Sequence, residues 1–159
     1  MRGRTVDNAP KYPEGCPREA VVVRPTQMRP RYKALFERMR DSDPVAADAA
    51  FDAILFDREH AVPDVVECYD KSKKDSVLRF LCVQLLGFSG AESALPTLIL
   101  ALDDKDAFVR AEACRSVEDL RAKQAIPLLE ARLDDLDEDV RQAAREALDG
   151  IAGGRTEEE

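Results

Sequence analysis

The chain has 159 residues, 45% apolar and 35% charged, with four cysteines, six phenylalanines and no tryptophan. That composition suits one globular domain whose helices are buried on one face and wet on the other, and no apolar run approaches the roughly 18 to 20 residues that span a bilayer. The net charge of −8 is unevenly spread: residues 1–40 carry ten Lys or Arg against four acids, and residues 41–159 carry 14 against 28. Nucleic acid is therefore an unfavoured partner, because most of the chain would repel phosphate.

Residues 1–29 read as a basic, proline-rich arm, since Pro10, Pro13, Pro17 and Pro25 break any helix there. The start, Met1-Arg2-Gly3-Arg4, lacks the apolar core of a secretion signal, which points to the cytoplasm. Val21-Val22-Val23 could dock as an extended segment, and Arg18, Arg24, Arg29 and Arg31 suit an acidic surface. Folding back on the body, reaching another protein and disorder all stand as readings of this arm.

From Pro30 onward the chain repeats itself. The period is clearest late in the chain, where Leu95-Pro96, Leu98, Leu102, Asp106, Val109-Arg110 and Ala113 recur 31 residues on. Their counterparts are Ile126-Pro127, Leu129, Leu133, Asp137, Val140-Arg141 and Ala144. The first copy starts near Pro30 and contains Asp43, Ala46, Ala50 and Ile54. The second starts at Val62-Pro63 and continues through Asp75, Leu78-Arg79, Cys82 and Leu86. Its first half begins two residues early, so Lys71-Ser72-Lys73-Lys74 reads as a lengthened turn. The third and fourth copies follow from Ala94 and Ala125.

Each copy has one grammar. A proline opens a first helix, where its missing N–H has no helical partner to lose. An apolar stripe follows at helical spacing, as in Leu95, Leu98, Ile99 and Leu102. Then an aspartate (Asp43, Asp75, Asp106 or Asp137) is placed to cap a second helix. The second helices carry the stripe Val109, Ala113, Val117, Leu120 and its echo Val140, Ala144, Leu148, Ile151. One helix pair cannot bury such stripes alone, whereas stacked pairs share a continuous core. Gly87, Gly90, Gly150, Gly153 and Gly154 read as helix-end glycines, and Gly153–Glu159 as a disordered acidic tail.

The pattern carried by Ala125-Ile126-Pro127-Leu128-Leu129 through Asp137-Glu138-Asp139-Val140-Arg141-Gln142-Ala143-Ala144 resembles a HEAT repeat, especially the short kind named after phycobilin lyases. The resemblance implies an all-α, right-handed α-solenoid of about four helix pairs over residues 30–152, with the arm extended before it. The 31-residue period is shorter than the roughly 40 to 47 of full HEAT units, so tight turns are expected. The family includes scaffolds, assembly factors, tetrapyrrole lyases and deoxyhypusine hydroxylase, which holds iron through repeated His-Glu pairs. Here the one histidine is His60, preceded by Glu59, so no such metal site is expected.

No Gly-rich phosphate loop or G-x-S-x-G elbow occurs, and no catalytic, cofactor or metal residue is assigned. Cys68, Cys82 and Cys114 sit in apolar stretches and read as small buried hydrophobes. Arg79, Arg110 and Arg141 are placed to bridge to the capping aspartates of neighbouring repeats. The side of the second helices opposite the core stripe carries Val77, Phe80, Gln84 and Gly87, then Phe108, Ala111, Arg115 and Glu118, between polar ends. In the family this side usually lines the concave surface. An apolar island inside a polar rim has the composition of a binding hot spot, unless the arm or the stacking angle covers it. The expected function is a non-enzymatic adaptor, monomeric or weakly dimeric, binding a protein through Val77, Phe80, Gln84, Phe108, Arg115 and Glu118. The alternative is a bilin lyase-like or chaperone-like accessory holding a tetrapyrrole or client in the same groove.

Overall fold

The computed structural model of the chain describes residues 27–153. The arm before Gln27 and the tail after Gly153 lie outside the described residues, and so does Cys16. Eight α-helices form four antiparallel pairs: α1 (Pro30–Arg38) with α2 (Pro44–Asp57), α3 (Val62–Lys71) with α4 (Ser76–Ser89), α5 (Leu95–Ala101) with α6 (Ala107–Asp119), and α7 (Ile126–Arg132) with α8 (Glu138–Gly153). No strand occurs among the described residues.

The grammar of the sequence sets these boundaries. Proline stands at the first or second position of α1, α2, α3, α5 and α7. Each second helix opens on its aspartate, whose carboxylate accepts from a free first-turn N–H: Asp43 from Val45 at 3.1 Å, Asp75 from Leu78, Asp106 from Phe108 and Asp137 from Asp139, each of the last three at 2.9 Å. After α2, α4 and α6 the chain reverses through a positive-φ residue, Arg58, Gly90 and Arg121 respectively. A short 3₁₀ turn (Arg58–Ala61, Glu92–Ala94 or Lys123–Ala125) then leads into the next first helix.

The second copy departs from the expected lengthened turn. The extra residues go into α3, which has 10 residues where α5 and α7 have 7. One more helical turn keeps backbone hydrogen bonds paired and buries Cys68, whereas a longer loop would expose them.

Side chains from both layers fill one continuous core. Ile54, Val66, Leu86, Leu98, Val109, Val117, Leu129 and Val140 are all fully buried. The second helices α4, α6 and α8 pack along one another, while α2 meets α4 partly through the turn at 58–61. Two glycines assigned to helix ends lie inside helices instead. Gly87 sits in α4 with Ser116 of α6 against it, and Gly150 sits in α8 beside the Glu118 side chain. Each lets two second helices approach closely. A Cβ at Gly87 would stand 2.6 Å from Ser116 Oγ and 3.0 Å from its Cα.

The start of the folded unit is fixed by Arg29. Asp64, fully buried in α3, accepts the Arg29 backbone N–H at 2.8 Å, its Nε at 2.8 Å and its Nη2 at 2.6 Å. Arg29 also lies over the Tyr32 ring at 4.6 Å, and Tyr32 donates to Asp57 at 2.9 Å.

Gly87→Ala is expected to destabilise the fold by about 1–3 kcal/mol through overpacking of α4 on α6, read as a lower thermal midpoint. Arg29→Ala leaves the buried Asp64 carboxylate only the backbone N–H of residue 29 and is expected to lose about 1–3 kcal/mol, measured by urea unfolding.

Candidate functional site

The outward side of the second helices is the candidate site, and an arginine–aspartate ladder determines how those helices align. Arg79, in the first turn of α4, donates to Asp104 from Nε at 3.0 Å and Nη2 at 3.1 Å, and from Nη1 to the carbonyls of Ser72 and Lys73. Arg110, one repeat later, makes the same fork to Asp135 at 3.0 and 2.8 Å and binds the Asp104 carbonyl. Arg141 binds the carbonyls of Asp135 and Leu136. Arg79 and Arg110 thus reach the neighbouring repeat, whereas Arg141 stays within its own, and the partners Asp104 and Asp135 stand two residues before the capping aspartates. Asp104 and Asp135 each also accept the backbone N–H of the capping aspartate two residues on, at 2.9 and 3.0 Å, which holds the carboxylate where the guanidinium meets it.

Both rungs are nearly dry, with side-chain exposures of 4% and 6% for Arg79 and Asp104, and 15% and 5% for Arg110 and Asp135. Burial pushes the Asp104 carboxyl up, but the hydrogen bonds from Arg79, the Asp106 N–H and Tyr69 outweigh it and hold it below the usual carboxylate range. Asp135 is held down in the same way by Arg110 and the Asp137 N–H.

With the helices so aligned, Val77 and Phe108 stand on the first turns of α4 and α6, each two residues after its capping aspartate. They are 67% and 71% exposed. Val45, at the same place on α2, is 75% exposed and extends the column to three repeats. The common offset from the cap was the signal that could have included it. Phe56 at the end of α2 is 88% exposed, and Phe88 one repeat later is 46% exposed. The first repeat is therefore not the polar end expected of it.

The other expected residues are placed less uniformly. Phe80 is half-buried and packs on the core, and Gln84 is half-buried one turn further along α4. Leu55 also packs on the core, and Ala111 is buried. Arg115 is exposed and pairs with Glu112 at 3.3 Å. Glu118 lies against Gly150 of α8. Burial raises the carboxyls of Glu112, Glu118 and Asp119, with Arg115 opposing the shift at Glu112 and the carboxylates of Asp119 and Glu146 adding to it at Glu118. Asp48, Asp52, Gln142, Glu146 and Asp149 complete an acidic, exposed rim.

His60 is exposed in the turn before α3, and its carbonyl accepts from Arg29 at 2.5 Å. No group of three or more His, Cys, Asp or Glu side chains among the described residues is arranged to hold a metal ion. No helix among them is long and apolar enough to cross a membrane.

Paired helices stacked in one direction, with a repeated cap and a repeated inter-repeat ion pair, define an all-α solenoid. Residues 71–149 match the model of HEAT repeats, and this part of the chain belongs to the HEAT-repeat family. Human deoxyhypusine hydroxylase, solved in complex with glycerol, is similar at a TM-score of 0.62 and 22% identity, over 82% of this chain and 46% of that one. The chain thus spans less than half the length of that enzyme. The CpcE–CpcF complex of phycocyanin lyase from Nostoc sp. PCC7120 aligns at a TM-score of 0.44 and 18% identity, over 81% of this chain and 68% of that one. At 22% identity the likeness to the hydroxylase shows the fold alone. No curated protein matches the chain.

Replacing Arg79 by Met is expected to destabilise the protein by about 3 kcal/mol, because Asp104 stays buried without its guanidinium. The depressed carboxyls of Asp104 and Asp135 contribute stability that is complete above about pH 4, the unfolded value, and lost as pH falls through their folded values. Urea midpoints of the wild type should therefore fall on acidification below pH ~4, and those of Arg79→Met should fall less steeply.

Proposed function

We propose that this chain is a non-enzymatic adaptor that holds a partner protein on the exposed side of its second helices. The observation that supports this most directly is the column Val45, Val77 and Phe108, one large apolar side chain per repeat. Exposed apolar side chains set in register inside a charged rim are an interaction surface in the making, because their burial by a partner releases ordered water. The acidic groups around them select a partner that presents apolar anchors flanked by Lys or Arg. Phe108 and Val77 are the anchors, and Arg115 and Glu118 are rim residues that set orientation. Phe80 supports the face from beneath and contributes part of one edge, with Gln84 beside it. The adaptor acts in the cytoplasm, as a monomer or a weak homodimer.

The test is capture of partners on the immobilised full chain beside a Val77→Asp, Phe108→Asp double variant. Both positions are exposed, so the variant should keep the wild-type helical signal and thermal midpoint. A partner held by the wild type should bind the variant with a Kd raised on the order of 30-fold or more, equivalent to about 2 kcal/mol. Equal retention by both proteins would remove this face from the function. A visible absorption band on mixing with a linear tetrapyrrole would favour a pigment-binding accessory instead.

A further inference from the structure

Side chains three helical turns apart, about eleven residues, stand on the same side of a helix within roughly 20°. Val45 and Phe56 of α2 are related in this way, as are Val77 and Phe88 of α4 and Phe108 and Asp119 of α6. All six are exposed. Two turns past the first row come Asp52, Gln84 and Arg115, of which Gln84 is half-buried and the other two are exposed. The outward face is therefore banded. An apolar row is followed by a polar row, and then by a row that is apolar on α2 and α4 and acidic on α6. Phe56 and Phe88 form this second apolar band.

The spacing of the bands selects the form of what covers them. Three turns separate them by about 16 Å along the helix axes. An extended segment spans that distance in about five residues, an odd number that sends its two side chains to opposite faces. A chain crossing the helices along one row leaves the other row bare. A helix laid along α2 and α4 meets both bands, because its own side chains return to one side at the same three-turn interval.

The charges select its chemistry. Asp48 and Asp52 are exposed on the α2 side, and Glu118 and Asp119 close the α6 side. Burial raises the carboxyls of Glu118 and Asp119, and at Glu118 the neighbouring carboxylates add to the shift while Arg121 opposes it. Arg115, the cation of the middle row, is already engaged with Glu112 at 3.3 Å. Incoming positive charge is therefore favoured on both flanks.

Resting on the adaptor reading above, we propose that the partner segment is a basic amphipathic helix lying along α2 and α4. Two large apolar side chains three turns apart cover the two bands. Lys or Arg between them faces Asp52, and further Lys or Arg on its flank faces Glu118 and Asp119.

The test uses the full chain and labelled synthetic peptides of about 18 residues built on Ala and Lys, long enough to hold a helix. One carries two Phe three turns apart with Lys between them; the other has the same composition with the Phe pair two turns apart. Fluorescence anisotropy should show saturable binding of the first peptide and binding weaker by about tenfold or more for the second. A Phe56→Asp, Phe88→Asp variant should keep the wild-type helical signal and lose affinity for the first peptide by a similar factor. Asp52→Lys should weaken binding as well, and replacing the central Lys of the peptide by Glu should restore it. Equal binding of the two spacings, absence of saturable binding, or full affinity in the Phe56→Asp, Phe88→Asp variant each overturns the proposal. A captured protein lost by Val77→Asp, Phe108→Asp but kept by Phe56→Asp, Phe88→Asp leaves the adaptor reading standing and overturns the helix. The two peptide spacings and the Asp52 exchange decide the matter even if the double variant fails to fold.

Discussion

The buried fork between the first-turn arginine of one repeat and the turn aspartate of the next is the constraint on which the rest of the stack depends. Apolar packing between helices is non-directional and would tolerate a range of offsets between neighbouring pairs. A planar guanidinium donating two parallel hydrogen bonds to a carboxylate tolerates very little. Arg79 and Arg110 each spend a third N–H on a carbonyl of their own inter-helix turn, so one side chain fixes both the turn within a repeat and the distance to the next. The desolvation penalty of such a pair is large, and its stability is best understood as register rather than as net free energy. Because the register is fixed between the later repeats, Val77 and Phe108, each two positions past its cap, take the same exposed place on successive second helices.

The first repeat obeys a different rule. Ala47 stands where the later copies have Arg79 and Arg110, so no fork joins α2 to α4. The tie there runs through the first helices instead, with Arg29 on buried Asp64, while Arg40 pairs with Asp75 at 3.0 Å as a mostly exposed contact. The turn at 58–61 fills the gap between α2 and α4. Sequence divergence of this copy and its distinct packing therefore have one origin.

Helix number, the starts of the helices and the core were legible because they depend on local chemistry. Prolines, capping aspartates and a 31-residue period each act within one or two turns of chain. What the sequence concealed depends on how repeats rotate against one another. A helical wheel places Phe80 on the outward side, but in the stack it is half-buried and packs on the core. Phe56 is exposed in a repeat expected to be a polar end, and Gly87 and Gly150, read as helix ends, are contact points between second helices. The arginine partners were displaced by two residues: Asp104 and Asp135, each held by the N–H of the capping aspartate two residues on, meet the guanidiniums. Among the expected binding residues, Val77 and Phe108 are exposed because a first-turn position two beyond the cap points outward whatever the stacking angle.

Asp64 also ties the chain before the first helix to the repeats. Its three acceptor bonds all go to Arg29, one residue before the proline that opens α1, so the interactions that hold the first repeat reach back beyond that proline. A chain trimmed at Pro30 would keep every helix and still lose the counter-charge of a buried carboxylate. Any effect of such a trim on binding would then mix the loss of the arm with a weakened first repeat. A cut before Gln27 separates the two, because it leaves the Arg29 latch in place.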